Sequence, residues 1–374
     1  MYKLYFSNKD FTPNGIPKEK VPLLVKEDMS FEEIPTLWFF YLALESGRTR
    51  SPETWRGYAE AILDFFNTCH ANNWNWKEIN KNNLIAYRNN MIDNNNCFGR
   101  KYSKSTINNY ITRVCLFYEW CVNKKYLNKL PFDKNLINTP FNLKDKFLMG
   151  HLKNNIYTND LIIKEYKKIP HCLSRDEFNS VIKNLEERDT LIVKWSVLTG
   201  MRRKEVLGLK LKNIPQSSQS NSPILKITID ITKGDKPRDV YVPQSLIDET
   251  NKYIKFTRRS IALKYNTLKT EDSLWIAERT GKAIGKKTIE AKFRIAIKKS
   301  GINCTFHHLR HTYAIKMLST LTKQTQNNGL NPLKTLQMLL GHSNINTTMI
   351  YLESLSIDLN EIEDSLTKFY GDII

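Results

Sequence analysis

The chain has 374 residues, 41% of them apolar, and its 57 Lys and Arg outnumber 38 Asp and Glu to give a formal charge of +19. That length predicts two domains, and the charge favours a polyanionic partner, either nucleic acid or an anionic membrane surface. With no apolar run near the ~20 residues of a membrane span, no signal-peptide-like apolar region near Met1, and six cysteines lacking CxxC or His-Cys metal spacing, the chain reads as a reduced cytosolic protein that binds nucleic acid.

Prolines at Pro13, Pro17 and Pro22 and the lack of a period predict an extended arm over residues 1–30. Ser30 to Glu33 has the form of a capping box, with Pro35 placing the start of the regular helix a few residues later. Ser51-Pro52-Glu53 is a stronger start, combining an N-cap, a proline in the first turn and an acid at the positive end of the helix dipole. Trp55, Tyr58, Ala59, Ile62, Leu63 and Phe66 then form one apolar stripe. A second stripe runs from Ile107 to Cys121, and Leu84, Tyr87 and Met91 mark a helix between the two. Residues 31–130 therefore read as an all-helical domain whose aromatics belong to its core. Periodicity fades over 131–172, a linker rich in Pro and Lys, and Ser174 to Glu177 opens the second domain, 173–374, with another capping box. There, Thr190 to Ser196 is an apolar helix, Ile224 to Ile231 and Val240 to Val242 are paired strands, and Lys233 to Lys236 is their hairpin tip. Helices return over Thr288–Lys299, Leu309–Leu318 and Pro332–Leu340.

The residues with chemical potential cluster late in the chain. Four of the seven histidines lie between His307 and His342. Arg310 stands among three of them, and Arg202 follows an apolar helix and Thr199-Gly200, with Glu205 three residues on to orient its neighbours. A guanidinium is planar, permanently charged and able to grip two phosphate oxygens, while an imidazole can exchange protons near neutral pH or donate to phosphate. His307 and His342 are the functional candidates; His308 and His311 are assigned to structure, on the expectation that they face away from His307 and Arg310. Tyr351 is the candidate nucleophile, since a phenol can form a covalent phosphoester. Lys233 reads equally as a proton donor to a leaving 5′-oxygen and as a charge that positions a phosphate.

In their order these residues resemble the tyrosine recombinases of the phage-integrase type. The resemblance rests on Thr-Gly-Met-Arg202-x-x-Glu205, Lys233 in a Lys-Gly-Asp-Lys hairpin, His307-x-Leu-Arg310-His-Thr, Leu-Leu-Gly-His342, and Tyr351 nine residues later. Departures are a long Leu318–Leu330 connection, Arg203 at an often apolar position, Thr232 in place of a common Gly, and Lys236 as a rival to Lys233.

The resemblance implies a mainly α fold with a small antiparallel β-sheet. A helical domain that binds core DNA would join a mixed α/β catalytic domain as a C-shaped clamp on duplex DNA. It also implies a site-specific recombinase. Tyr351 would attack the scissile phosphate to give a 3′-phosphotyrosine and a free 5′-hydroxyl. Arg202, Arg310, His307 and His342 would hold the phosphoryl oxygens, with His307 a proton acceptor, Lys233 the general acid and Glu205 in support. One phosphoester replaces another, so neither ATP nor metal is needed. Four protomers would act on two DNA sites, in the integration, excision or transposition of a mobile element, at the nucleoid. The tail stripe Leu355, Leu359, Ile362 and Leu366 would pack on a neighbouring protomer or on its own domain. A type IB topoisomerase and a non-enzymatic DNA-binding relative are the alternatives; the order of motifs disfavours the first and the intact constellation the second.

Overall fold

The computed structural model describes residues 1–47, 51–95, 99–133, 161–165, 170–216, 222–230, 237–325 and 331–352, and the chain separates into two units, Met1–Lys167 and Lys168–Ile374. Most of the expected 131–172 linker, the Lys233–Lys236 hairpin tip and the tail stripe from Leu355 lie outside the described residues.

The first unit begins with a hairpin where an extended arm was expected. Strand β1 (Lys3–Phe6) pairs antiparallel with β2 (Pro22–Val25), in register from Lys3↔Val25 to Phe6↔Pro22. The side-chain amide of Asn67 accepts from Tyr2 N at 2.7 Å and donates to Tyr2 O at 3.3 Å. Val21 and Leu24 are fully buried in the core that the helices share. Strands this short show too few alternations to reveal a period. Helix α1 (Glu33–Phe40) likewise departs from expectation, with Pro35 inside its first turn and no side-chain cap from Ser30. A first-turn N–H has no intrahelical partner to lose, so proline there does not delay the helix.

The other starts follow from their caps, which satisfy free N–H groups at the helix ends. Ser51 Oγ accepts from Thr54 N at 3.3 Å to open α2 (Pro52–Ala71). Asn80 caps α3 (Lys81–Asp93), and Ser103 caps α4 (Lys104–Asn123). The aromatics are core: Trp38, Phe65, Phe66, Phe117 and Tyr118 are buried, and their rings meet mostly edge to face. Buried Tyr118 donates to Trp76 O at 2.6 Å, and Asp64 accepts from Tyr87 and Tyr102, so the polar ends of these rings are satisfied.

The second unit opens with α5 (Arg175–Ile182), where Ser174 and Glu177 form the expected reciprocal capping box. Helix α6 (Glu187–Thr199) buries Leu191, Ile192, Val193 and Trp195, and also Arg188, Asp189, Ser196 and Thr199. A helix covered on so many sides is a central one. Short α7 (Arg203–Leu207) follows, then β3 (Ile224–Ile229) and β4 (Arg238–Pro243), antiparallel from Ile224↔Pro243 to Ile229↔Arg238. Ile227, Ile229, Val240 and Val242 point to the core at the period of two that strands impose. Helices α8 (Gln244–Tyr253) and α9 (Arg259–Lys264), joined by a π turn, occupy a stretch the sequence left unassigned. Then come α10 (Lys286–Ser300), α11 (Phe306–Thr325), α12 (Pro332–Leu340) and α13 (Asn346–Met349). Helix α11 packs on α6 and α12, which brings the histidine-rich segment against the end of the central helix. Among the described residues, no helix is long and apolar enough to cross a membrane.

Candidate active site

The site is built where three helix ends meet. Helix α6 stops at Gly200, in the left-handed region at φ +66°, where a side chain would run into the Tyr313 ring. The reversal delivers Arg202 to the N-cap of α7, and Glu205 closes the cap with its own carboxylate. Glu205 Oε2 accepts from Arg202 N at 2.8 Å, and Oε1 accepts from Arg202 Nη1 at 2.9 Å. Glu205 is buried, at 3% exposure. Burial pushes its carboxyl up, but the neighbouring Arg238 and Arg202 guanidiniums outweigh this and hold it below the usual range.

Arg238, at the start of β4, is a site residue that sequence reasoning missed. Its Nη2 donates to Glu205 Oε2 at 2.8 Å and its Nη1 to Leu339 O at 2.8 Å. It thereby ties the Arg202–Glu205 pair to the C-terminal end of α12. That end turns at Gly341, φ +63°, where an added Cβ would lie 2.6 Å from Arg238 Cδ. Nothing in the sequence singled it out, because one more arginine in so basic a chain looks like a solvated charge.

Arg310 is 2% exposed on α11 and joins the other two helix ends. Its Nη1 donates to Gly200 O at 2.5 Å, and its Nη2 donates to Leu340 O at 2.7 Å. Carbonyls at helix C-termini carry the negative end of the dipole and welcome a cation. Burial lowers the Arg310 guanidinium to about 9, assisted by the charge of Arg202, and it stays cationic at neutral pH.

His342 follows the Gly341 turn. Its Nε2 lies 3.0 Å from Arg310 Nη2 and its Nδ1 lies 2.9 Å from Thr348 Oγ1. A guanidinium can only donate, so Nε2 is the acceptor and Nδ1 carries the proton, donated to Thr348. Burial first, then Arg310 and Arg202, push His342 down to about 3, so the ring is neutral. His307 is also held below the ordinary histidine value, by burial and then by Arg310.

Tyr351 is 2% exposed and its Oη lies 3.1 Å from His311 Nδ1. The expectation that His311 faces away from His307 is therefore corrected. Residues four apart share a helix face, and the His307 and His311 rings meet with centroids 4.3 Å apart. His308 does turn elsewhere: its Nδ1 accepts from Thr305 N at 3.2 Å at the start of α11. Burial raises the Tyr351 phenol above its ordinary value, against the opposing pull of Arg310 and Arg202. The hydroxyl is therefore protonated at neutral pH.

Arg202, Glu205, Arg310, His342 and Tyr351 thus come together, His307 adjoins them on α11, and Lys233 lies outside the described residues. Three guanidiniums, Arg202, Arg238 and Arg310, gather around the Glu205 carboxylate, and His342 beside them is neutral. Such a surplus of fixed, largely buried positive charge suits a phosphodiester and the extra negative charge of its five-coordinate transition state.

Residues 171–356 match the phage integrase family, and residues 37–125 match the phage integrase N-terminal SAM-like domain. The chain is 29% identical over 202 residues to tyrosine recombinase XerA of Pyrococcus furiosus, across 52% of this chain and 61% of that protein. It is 30% identical over 216 residues to tyrosine recombinase XerD of Lacticaseibacillus casei, across 55% of this chain and 67% of that protein. The matched region spans less than two thirds of the Pyrococcus furiosus relative. Among solved structures, a lambda integrase tetramer bound to a Holliday junction shares the fold over 85% of this chain and 76% of that chain, with a TM-score of 0.56 and 14% identity.

Proposed function

Because the chain belongs to the phage integrase family of tyrosine recombinases, we propose that it cuts and rejoins duplex DNA at specific sites, using Tyr351 as the nucleophile. Tyr351 Oη attacks the scissile phosphorus, and the bond to the 5′-oxygen breaks. A 3′-phosphotyrosine and a 5′-hydroxyl result. Arg202 and Arg310 hold the non-bridging oxygens, His342 and His307 contact the same phosphate, and Glu205 fixes Arg202. Lys233 protonates the leaving 5′-oxygen. The 5′-hydroxyl of a partner strand then reverses the step, so each phosphoester replaces another without ATP or a metal.

The observation that carries this reading is the Arg310–His342 contact at 3.0 Å, with buried Tyr351 presented in the same unit beside a surplus of guanidiniums. Two duplexes exchange strands only if two sites are held together, so the active assembly is a tetramer on DNA. The lambda integrase tetramer on a Holliday junction supports that assembly. The net charge of +19 suits a partner with a charge on every nucleotide, and such a partner supports a location at the nucleoid. Recombination in a mobile element is the setting we propose.

A nicked suicide duplex carrying the cognate site, whose cleaved fragment diffuses away, tests the reading. The chain is expected to form a covalent DNA adduct in the presence of EDTA. Tyr351→Phe is expected to lose the adduct and keep DNA binding. An adduct formed by the Phe variant contradicts the assignment.

A further inference from the structure

The resemblance to tyrosine recombinases implies that His307 takes the proton from the attacking tyrosine, yet the imidazole that touches the phenol is another one. We propose that His311, through Nδ1, is the proton acceptor for Tyr351 during cleavage and returns the proton during rejoining; the inference rests on the recombinase reading above.

The geometry is specific. His311 lies one helical turn after His307 on α11, and its Nδ1 is 3.1 Å from Tyr351 Oη, with ring centroids 5.5 Å apart. A general base must stand within hydrogen-bond reach of the proton it removes. The ring is neutral, kept so by burial and by His307, His308 and Arg310 around it. A neutral imidazole has one nitrogen lone pair, and a protonated phenol is a better donor than acceptor. The hydroxyl therefore donates to Nδ1, and Nε2 carries the ring proton. His307 has a different setting: its charge state responds, after burial, to Arg310, His308, Arg202 and Arg203. That placement beside the guanidiniums suits contact with the phosphate.

The step balances. Tyr351 Oη bonds to phosphorus, the bond from phosphorus to the 5′-oxygen breaks, and the phenolic proton passes to His311 Nδ1. The 5′-oxygen takes its proton from a separate donor, the role given to Lys233. In rejoining, the incoming 5′-hydroxyl returns a proton to neutral Lys233, and the His311 imidazolium protonates the departing phenolate. An approaching phosphodiester brings negative charge, which eases the protonation of His311 when it is needed.

The test is His311→Asn, whose side-chain oxygen still accepts the phenol's hydrogen bond but is not a base. Single-turnover adduct formation on the nicked duplex is expected to slow by roughly a hundredfold, the usual worth of a general base, with DNA binding unchanged. His311→Gln serves as the second variant should Asn disturb folding. Tyr351 is then replaced by a ring-difluorinated tyrosine, whose phenol ionises far more easily and needs little help from a base. With that nucleophile, the penalty for His311→Asn is expected to shrink to about tenfold or less, while the penalty for His307→Gln stays as it was. A structural role of His311 would leave its penalty equal for both nucleophiles, and that result, or adduct formation at the full rate in His311→Asn, overturns the proposal. Shrinkage of the His307 penalty instead returns the role to His307. If the unaltered chain forms no adduct, the recombinase reading fails and this inference falls with it.

Discussion

Arg238→Met tests whether the buried carboxylate and its guanidiniums act as one unit. The substitution keeps a long apolar stem but removes both hydrogen bonds, at 2.8 Å to Glu205 and 2.8 Å to the Leu339 carbonyl. The two side chains are 11% and 2% exposed, so solvent screens their attraction little. Losing one partner of a buried pair typically costs about 3–5 kcal/mol, because the remaining charge stays desolvated and poorly compensated. Arg202 retains a bond to Glu205, which places Arg238→Met near the lower end, about 3 kcal/mol. Glu205→Gln alone strands Arg238 and is expected to cost a similar amount. The double variant removes the buried Glu205–Arg238 pair together and leaves only the partly exposed Arg202 without its carboxylate, so it is expected to be more stable than the sum of the singles by at least about 1 kcal/mol. Urea denaturation of the full chain measures this, read from the transition of the second unit through a probe on α10. Additive losses would refute coupling between Arg238 and Glu205.

Three further outcomes are expected. Gly341→Ala forces a Cβ into the left-handed region and against Arg238 Cδ; it should destabilise the second unit by at least about 1–2 kcal/mol and slow adduct formation more than it weakens DNA binding, and an unchanged urea midpoint would count against the Gly341–Arg238 packing. His342 at about 3 and His311 at about 4 stay neutral while an unfolded histidine protonates below about 6.5. Between those values the unfolded chain binds more protons, so stability is lost as pH falls through that window; His342→Gln should flatten the slope by close to one proton, and stability that rises on acidification would contradict the buried neutral state. Lys233→Ala should slow cleavage strongly with an ordinary 5′-oxygen leaving group and far less with a 5′-bridging phosphorothiolate, which leaves without an acid; equal slowing would move that role to another donor, Lys236 being next.

Much of the helical framework was legible because caps are local chemistry. Asn331 accepts from Lys334 N at 3.0 Å, Pro332 opens α12 and Gly341 ends it, so a helix of nine residues could be bounded from sequence. The order Arg202, His307, Arg310, His342, Tyr351 was likewise visible, since each motif is short and contiguous. Contacts made only by folding were not visible. Arg238 is joined to Glu205 across 33 positions and to Leu339 across 101, and no local pattern marks a strand arginine as buried. The orientation of His311 was readable but misread: at 100° per residue it lies 40° from His307 on the helix wheel, whereas His308 lies 100° away. The β1–β2 hairpin escaped because a four-residue strand offers no period. Pro35 misled because proline interrupts helix interiors but not first turns.

If Tyr351 is the nucleophile, it becomes joined to DNA through its phenolic oxygen. The adduct trapped on the nicked duplex can be digested with protease and nuclease and sequenced by mass spectrometry. One DNA-linked peptide is expected, carrying the nucleotide on Tyr351 through the 3′-phosphate, with a free 5′-hydroxyl on the released strand. A nucleotide attached to any other residue, or attached through a 5′-phosphate, would contradict it.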